Sequence, residues 1–139
     1  MTVLGAKKLI LLIIFCLGCI LLRAQQSAED YVNSGNIKGS QKNYSGAISD
    51  YSNAIELEPK YGLAYFYRGA AKEQLGDHKG AITDFDKSIE INPKYGLAYF
   101  YRGISKFGIE DKEGSCADWN KAGKLGCSTA NQYIKDYCN

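Results

Sequence analysis

The chain has 139 residues, a formal charge of +2, 23% charged residues and 12% aromatic residues. This length allows one domain or one short array of repeats. The aromatic content and moderate charge exclude an intrinsically disordered chain, and the near-neutral charge gives no reason to expect nucleic acid as a partner.

The N-terminal segment differs from the rest of the chain. Lys7 and Lys8 precede an apolar run over residues 9–22, and a polar segment begins at Arg23. A basic start, a short apolar stretch and a small residue before a polar segment are typical of a secretory signal peptide. The run is also shorter than the roughly 20 residues that a membrane-spanning helix needs. We therefore predict a signal peptide over residues 1–24, cleaved after Ala24.

Two other fates of this segment remain open. Leu22, at the third position before the predicted cut, is not ideal for cleavage, which leaves an uncleaved anchor as one alternative. The second alternative is a lipoprotein with its lipid attached at Cys19, although the apolar residues after Cys19 disfavour that interpretation. We expect export to the periplasm or cell envelope, or secretion, with membrane contact only through this segment.

A period of 34 residues runs through the rest of the chain. The segment PKYGLAYFYRG occupies residues 59–69 and again residues 93–103. Other positions recur at the same step, including Tyr31, Tyr65 and Tyr99; Gly35, Gly69 and Gly103; and Asp50, Asp84 and Asp118, each followed by an aromatic residue. A fixed period of this length indicates stacked helical hairpins.

Each unit contains two stretches of helical periodicity separated by a turn. In the second unit, Gly76 and Asp77 favour the turn, and Pro93 disfavours helix at the residue before it. The predicted helices cover residues 28–41, 45–57, 62–75, 78–91, 96–109, 112–125 and 129–138.

This pattern resembles the tetratricopeptide repeat, in which an aromatic residue, Gly, Ala, a second aromatic residue, Ala and Pro occupy fixed places. In the second unit these places hold Tyr65, Gly69, Ala81, Phe85, Ser88 and Pro93. The third unit departs mildly, with Ser115 and Cys127 in place of Ala and Pro. Its CADWNKAGKLG segment and the closing YC are similar to the ends of small exported repeat proteins of Bacteroidetes-type bacteria.

The resemblance implies an all-α fold, a right-handed superhelical array of three hairpins followed by a C-terminal capping helix. The repeats would occupy residues 28–61, 62–95 and 96–127, and the cap residues 128–138. One hairpin cannot bury its apolar face alone, whereas three stacked hairpins can.

Three cysteines follow the predicted signal peptide, and an exported chain meets an oxidising compartment. Helices 112–125 and 129–138 are expected to run antiparallel around a turn near Gly126, which sets Cys116 opposite Cys138. We predict a disulfide between these two residues, with Cys127 unpaired. A different pair, or no disulfide, remains an alternative.

The sequence contains no motif of a catalytic, cofactor or metal site. Signatures of serine hydrolases, zinc proteases, phosphate loops and redox CxxC pairs are absent, and zinc sites favour closely spaced cysteines. The single histidine, His78, is expected to be solvated in a turn. We predict no enzyme activity, no cofactor and no metal.

Repeated charges predict ion pairs between helices. Arg68 and Arg102 precede the repeated glycines, while aspartates precede the repeated aromatic residues at the same 34-residue step. The alternative is simple exposed charge, which contributes at most about 1 kcal/mol.

By resemblance, such arrays bind a partner segment in the concave groove lined by the first helix of each unit. Counting along those helices gives the groove candidates Val32, Asn36, Leu63, Phe66, Ala70, Leu97, Phe100, Ile104 and Phe107. Only Asn36 fits the basic, Asn-rich clamp with which chaperone-binding members of the family hold a C-terminal carboxylate. We therefore predict a scaffold or adaptor that binds an apolar protein or peptide segment. The main alternative is a structural protein whose units self-assemble by stacking between chains.

Overall fold

The structure, a computed structural model, describes the backbone of residues 3–23 and 26–138 and the side chains of residues 5–16 and 26–138. The predicted cleavage site at Ala24 and the side chain of Cys19 lie outside these residues. The described ranges contain eight helices: α1 (Val3–Arg23), α2 (Ala28–Ser40), α3 (Tyr44–Leu57), α4 (Gly62–Gln74), α5 (His78–Ile91), α6 (Gly96–Gly108), α7 (Lys112–Lys124) and α8 (Thr129–Tyr137).

The fold is all-α, as predicted, with no strand in the described ranges. Helices α2–α3, α4–α5 and α6–α7 form three successive hairpins, and α8 packs on α7. Each of these helices begins and ends within one residue of the sequence prediction. Within α1, the apolar side chains from Leu9 to Phe15 are exposed. None of the helices in the described part of the chain combines the length and the apolar character that a membrane crossing requires.

The second helix of each hairpin begins at a side-chain cap. The Asp77 carboxylate accepts a hydrogen bond from the backbone N–H of Gly80 at 3.0 Å, and Asn43 and Asp111 cap α3 and α7 in the same way. Such caps satisfy backbone donors that have no partner inside the helix. The caps therefore fix where each turn ends and the next helix starts.

The repeated glycines let the two helices of a hairpin approach closely. A Cβ atom placed on Gly35 or Gly103 would lie 2.5 Å from the ring of Tyr51 or Trp119, and Gly69 faces Phe85 at 2.9 Å. Any side chain at these positions would overlap a buried ring. The glycine and the aromatic residue of each hairpin thus form one packing unit.

Each of these rings also contacts a tyrosine of the next element. The ring centroids are 5.8 Å apart for Tyr51–Tyr67, 6.2 Å for Phe85–Tyr101 and 5.1 Å for Trp119–Tyr133. A fully buried alanine precedes each tyrosine by three residues, at Ala64, Ala98 and Ala130. We call this small residue and tyrosine the docking pair. Because α8 carries a docking pair, it covers the third hairpin as the first helix of a further repeat would.

The first hairpin lacks a docking pair. In α2, Asp30 and Asn33 stand 34 residues before Ala64 and Tyr67, and both are exposed. Asp30 instead forms a capping box, accepting from the Ser27 backbone N–H at 2.8 Å while Ser27 Oγ accepts from the Asp30 N–H at 3.1 Å. The hydrogen bonds that the Ser27 backbone N–H and then the Ser27 hydroxyl donate to the carboxylate lower the pKa of Asp30. A carboxylate at this position opposes docking of another hairpin because it would be buried without a partner.

The predicted ion pairs form between the helices of each hairpin. Arg102 donates two hydrogen bonds to Asp118, at 2.8 and 2.6 Å, and a third to Asp86 of the preceding hairpin at 2.6 Å. Arg68 bonds Asp84 in the same bidentate way. Each arginine therefore fixes its own hairpin and ties it to the one before, since Arg68 also donates to Ser52 of α3 at 3.1 Å.

Lysines add a component that the sequence analysis missed. Lys38, Lys72 and Lys106 recur at the 34-residue step, four residues after Ser34, Arg68 and Arg102. Their ammonium groups lie 2.7, 2.7 and 2.9 Å from Asp50, Asp84 and Asp118. Each buried aspartate thus has two partners, with Ser34 in place of an arginine in the first hairpin.

The structure brings the predicted cysteine pair within bonding distance. The Sγ atoms of Cys116 and Cys138 are 2.11 Å apart and their Cα atoms 5.6 Å apart. This contact joins α7 to the end of α8. Cys127 has a free thiol and is partly buried.

Ser88 holds a hydroxyl with no partner. It occupies the place of Ala54 and Ala122, is fully buried, and its Oγ has no hydrogen bond among the described residues. We expect Ser88→Ala to raise the free energy of unfolding by about 1 kcal/mol, because a buried unpaired polar group costs about 1–3 kcal/mol. Urea denaturation followed by far-UV circular dichroism measures this gain. Ser115→Ala is the control and should bring no gain, since the buried Ser115 hydroxyl donates to Asp111 at 2.7 Å; a loss of stability in Ser88→Ala would contradict the expectation.

Candidate functional site

A cavity lies along the row of first helices, where α2 packs on α4 and α4 packs on α6. Its volume is about 230 Å³. We call it the tyrosine cavity; its lining residues are Asn36, Gly39, Tyr44, Tyr51, Tyr67, Ala70, Ala71, Gln74 and Tyr101. Four of the nine are tyrosines and three are glycine or alanine, so the lining combines aromatic rings with small residues.

One end of the tyrosine cavity is fixed by a hydrogen bond. The Tyr51 hydroxyl donates to Asn36 Oδ1 at 2.8 Å, and its ring stacks on Tyr67 with an interplanar angle of 22°. Burial, followed by the nearby Tyr67 and Asp50, raises the pKa of Tyr51 to about 12. The hydroxyl therefore stays protonated at physiological pH. Because Asn36 Oδ1 accepts this hydrogen bond, the side-chain N–H groups of Asn36 remain available as donors.

The tyrosine cavity contains no charged lining residue. The cations of the first helices, Lys38, Arg68, Lys72, Arg102 and Lys106, all pair with aspartates of the second helices. The hydrogen bonds that Arg102 donates to Asp118 raise the pKa of Arg102, and the bond to Asp86 contributes less. These cations are thus neutralised by aspartates within the hairpins and do not face a ligand in the cavity.

Two of the nine groove candidates, Asn36 and Ala70, line the tyrosine cavity. Three others belong to the core: Val32, Phe66 and Phe100 are 3%, 6% and 6% exposed. Phe66 packs edge-on against Tyr101 of the next hairpin, with ring centroids 5.6 Å apart, and Phe100 packs against Tyr133 of α8 at 5.0 Å. The prediction that these three residues line the groove is therefore wrong. Val32 is buried in the core, and the rings of Phe66 and Phe100 fill the space between successive elements.

The remaining four candidates lie outside the tyrosine cavity. Leu63 and Leu97 are 40% and 43% exposed near the starts of α4 and α6. Ile104 is partly buried against the core cluster of the third hairpin. Phe107 is 42% exposed but its ring packs at a tilt against Tyr137 of the capping helix, with centroids 5.0 Å apart. The capping helix thus uses part of the predicted surface.

Sequence reasoning missed Tyr67, Tyr101 and Gln74 as lining residues. A signal was present, because both tyrosines lie in the doubled segment directly after Phe66 and Phe100. Neighbouring residues on a helix point about 100° apart. Choosing the phenylalanine instead of the adjacent tyrosine as the cavity residue therefore assigns a core residue to the cavity and a cavity residue to the core.

His78 is 33% exposed in its side chain, in part as the sequence predicts, but it also makes contacts that the sequence analysis missed. Its Nδ1 lies 3.0 Å from Glu73 Oε1, and its ring packs so closely on Gly108 of α6 that a Cβ there would overlap it. Glu73 also accepts a hydrogen bond from the hydroxyl of Ser105. This contact links the second and third hairpins. Ser105 is fully buried and bonds the carboxylate instead of the imidazole, so the three residues do not have the arrangement of a serine nucleophile and its base.

No potential metal centre occurs in the described part of the chain, where no three His, Cys, Asp or Glu side chains come together. The site offers aromatic surface, amide groups and hydroxyls. These groups can bind a segment of another molecule but supply no nucleophile paired with a base.

Two family models match this chain. The tetratricopeptide repeat model matches residues 62–95, and a TPR repeat model matches residues 35–76. Neither indicates an enzyme family. The comparison with curated proteins finds no match.

Solved structures of TPR domains share this fold. The first TPR of Spaghetti (RPAP3), solved with the HSP90 peptide SRMEEVD, has a TM-score of 0.79 at 23% identity, covering 81% of this chain and 91% of that chain. The Arabidopsis OM64 TPR domain has a TM-score of 0.74 at 24% identity, covering 79% and 95%. The Sgt2 TPR domain from Aspergillus fumigatus has a TM-score of 0.69 at 23% identity, covering 81% and 84%.

The fold, the 34-residue packing units and the family matches agree. Residues 35–95 of this chain are tetratricopeptide repeats, within an all-helical array that has the fold of the TPR superhelix.

Proposed function

We propose that this protein is a non-catalytic interaction module that binds a segment of a partner protein in the tyrosine cavity. The observation that carries this proposal is an uncharged aromatic cavity spanning the first helices of successive hairpins. A similar TPR domain, that of Spaghetti, was solved with a bound HSP90 peptide, which supports a peptide or protein as the ligand class. The TPR fold presents such surfaces through stacked repeats.

The ends of the array favour partner binding over stacking between chains. The docking pair that joins successive elements is replaced by Asp30 and Asn33 at the first hairpin. At the other end, α8 covers Trp119, which is 1% exposed. The first hairpin therefore lacks the apolar pair that docks one element on the next, and the ring of Trp119 is already covered at the other end. The concave face remains the surface available to a partner.

The proposal includes export. The basic and apolar N-terminal segment supports a secretory signal, and the similarity of the C-terminal segments to exported repeat proteins of Bacteroidetes-type bacteria supports a periplasmic or cell-envelope location. A Cys116–Cys138 disulfide, at the contact found between α7 and α8, suits an oxidising compartment. There it would hold the capping helix against the last hairpin.

Charge placed in the tyrosine cavity tests the proposal. We expect Ala70→Arg to abolish capture of partner proteins from envelope extract, because the long side chain fills the cavity and introduces an unpaired cation. Ala117→Arg makes the same change at an exposed site on α7 and should retain every partner. Circular dichroism establishes that both variants fold. Equal capture by the two variants would refute binding in the cavity.

A further inference from the structure

We propose that the tyrosine cavity selects an extended, uncharged peptide segment containing consecutive prolines. This inference rests on the proposed function and names the chemistry of its partner. Three properties of the cavity carry it: its charge, its size and its hydrogen-bond donors.

The charge of the cavity excludes acidic and basic segments. None of its lining residues is charged, and the cations of the first helices are held by buried aspartates that are 3–10% exposed in their side chains. A carboxylate entering the cavity would lose its hydration without gaining a counter-ion, and burial of an unpaired charge is strongly unfavourable. An uncharged segment avoids this cost.

The size of the cavity limits how much of a bound segment can enter it. The cavity holds about 230 Å³, which accommodates one or two side chains of an extended segment. Gly39, Ala70 and Ala71 in its lining have small side chains or none, which leaves room for the bound segment.

Among uncharged segments, the hydrogen-bond donors that line the cavity favour one rich in proline. Asn36 Oδ1 already accepts from Tyr51, so Asn36 presents N–H donors to the cavity, and Gln74 adds an amide at the side of α4. A proline segment has backbone carbonyls but no N–H groups, so the Asn36 N–H groups and the tyrosine hydroxyls can donate to it and it leaves no donor of its own unpaired. Its polyproline II conformation is preformed and packs against aromatic grooves, which lowers the entropy cost of binding.

Fluorescence anisotropy with labelled peptides tests the inference. The probes are a six-proline peptide, a Ser/Ala peptide of equal length and the acidic peptide SRMEEVD, each with the mature chain from residue 25. We expect the proline peptide to bind at least tenfold more tightly than either of the others. Asn36→Asp replaces the donor by a carboxylate and should weaken proline binding about tenfold or more. Asn33→Asp, at an exposed position of the same helix, should leave binding unchanged.

The outcomes separate this inference from the proposed function. Equal binding of the proline and Ser/Ala peptides, or tighter binding of SRMEEVD, would overturn the proline assignment, as would an unaltered affinity in a folded Asn36→Asp variant. If no peptide binds while Ala70→Arg still loses its partners from extract, the proline inference fails and the proposed function stands. If Ala70→Arg and Ala117→Arg capture the same partners, the proposed function fails.

Discussion

Replacement of Asp118 by alanine is expected to lower the free energy of unfolding by about 3 kcal/mol. The Asp118 side chain is 6% exposed and accepts from both Arg102 and Lys106. Its removal takes the buried partner away from both cations and leaves Arg102 only the exposed Asp86, and breaking a buried ion pair costs about 3–5 kcal/mol. The lower end of this range applies because both cations retain some exposure to solvent. Urea denaturation at neutral pH measures the loss.

Asp86 provides the matched control on the same guanidinium group. It accepts from Arg102 at 2.6 Å, but its side chain is 55% exposed. Because exposed ion pairs contribute about 0–1 kcal/mol, Asp86→Ala should lower the free energy of unfolding by less than about 1 kcal/mol. Equal effects of the two alanine variants would mean that burial does not govern the strength of these pairs.

The second large effect is expected at the glycine of the first hairpin. Gly35→Ala would place a Cβ atom 2.5 Å from the Tyr51 ring, which cannot move aside because it stacks on Tyr67 and bonds Asn36. Overpacking of this kind costs about 1–3 kcal/mol, partly offset by the better helix propensity of alanine. We expect a net loss of about 1–2 kcal/mol, measured by urea denaturation.

Gly39 is the control for this second prediction because it lies one turn later in the same helix. A Cβ atom there would meet only the Tyr51 hydroxyl, at 3.8 Å. Gly39→Ala should therefore raise the free energy of unfolding by about 0.5 kcal/mol or less, because Gly39 lies in the last turn of α2 and the gain from replacing glycine is largest in the middle of a helix. If both variants lost or both gained stability, close helix approach at Gly35 would not explain the repeated glycine.

The helices were predictable from sequence because their signals are local and repeated three times. Pro93, the Gly76–Asp77 turn and the apolar spacing each act within a few residues. The ion pairs were also predictable, since Arg102 and Asp118 share the period of the fold. Because residues of the two helices recur at the same 34-residue step, their pairing across a hairpin can be inferred from the sequence. A sequence without repeats does not allow this inference.

The site was only partly predictable because it depends on which side of a helix meets the next hairpin. Phe66 and Tyr67 are adjacent, aromatic and repeated, yet Phe66 is core and Tyr67 lines the cavity. The contact of His78 with Glu73 and Gly108 joins two hairpins and has no local signature. Which residues are core and which line the cavity depends on how successive hairpins are offset against each other. The sequence pattern within one hairpin does not specify this offset.

Site-specific photo-crosslinking tests the central claim, that the tyrosine cavity is the binding surface, most directly. A benzoylphenylalanine residue replaces Gln74 in the cavity or Thr83 on the exposed side of α5, and the protein is irradiated in envelope extract. Binding in the cavity predicts discrete adducts with a partner protein from position 74, lost when Ala70→Arg is added, and none of these adducts from position 83. The same adducts from both positions, or adducts from position 83 alone, would contradict it.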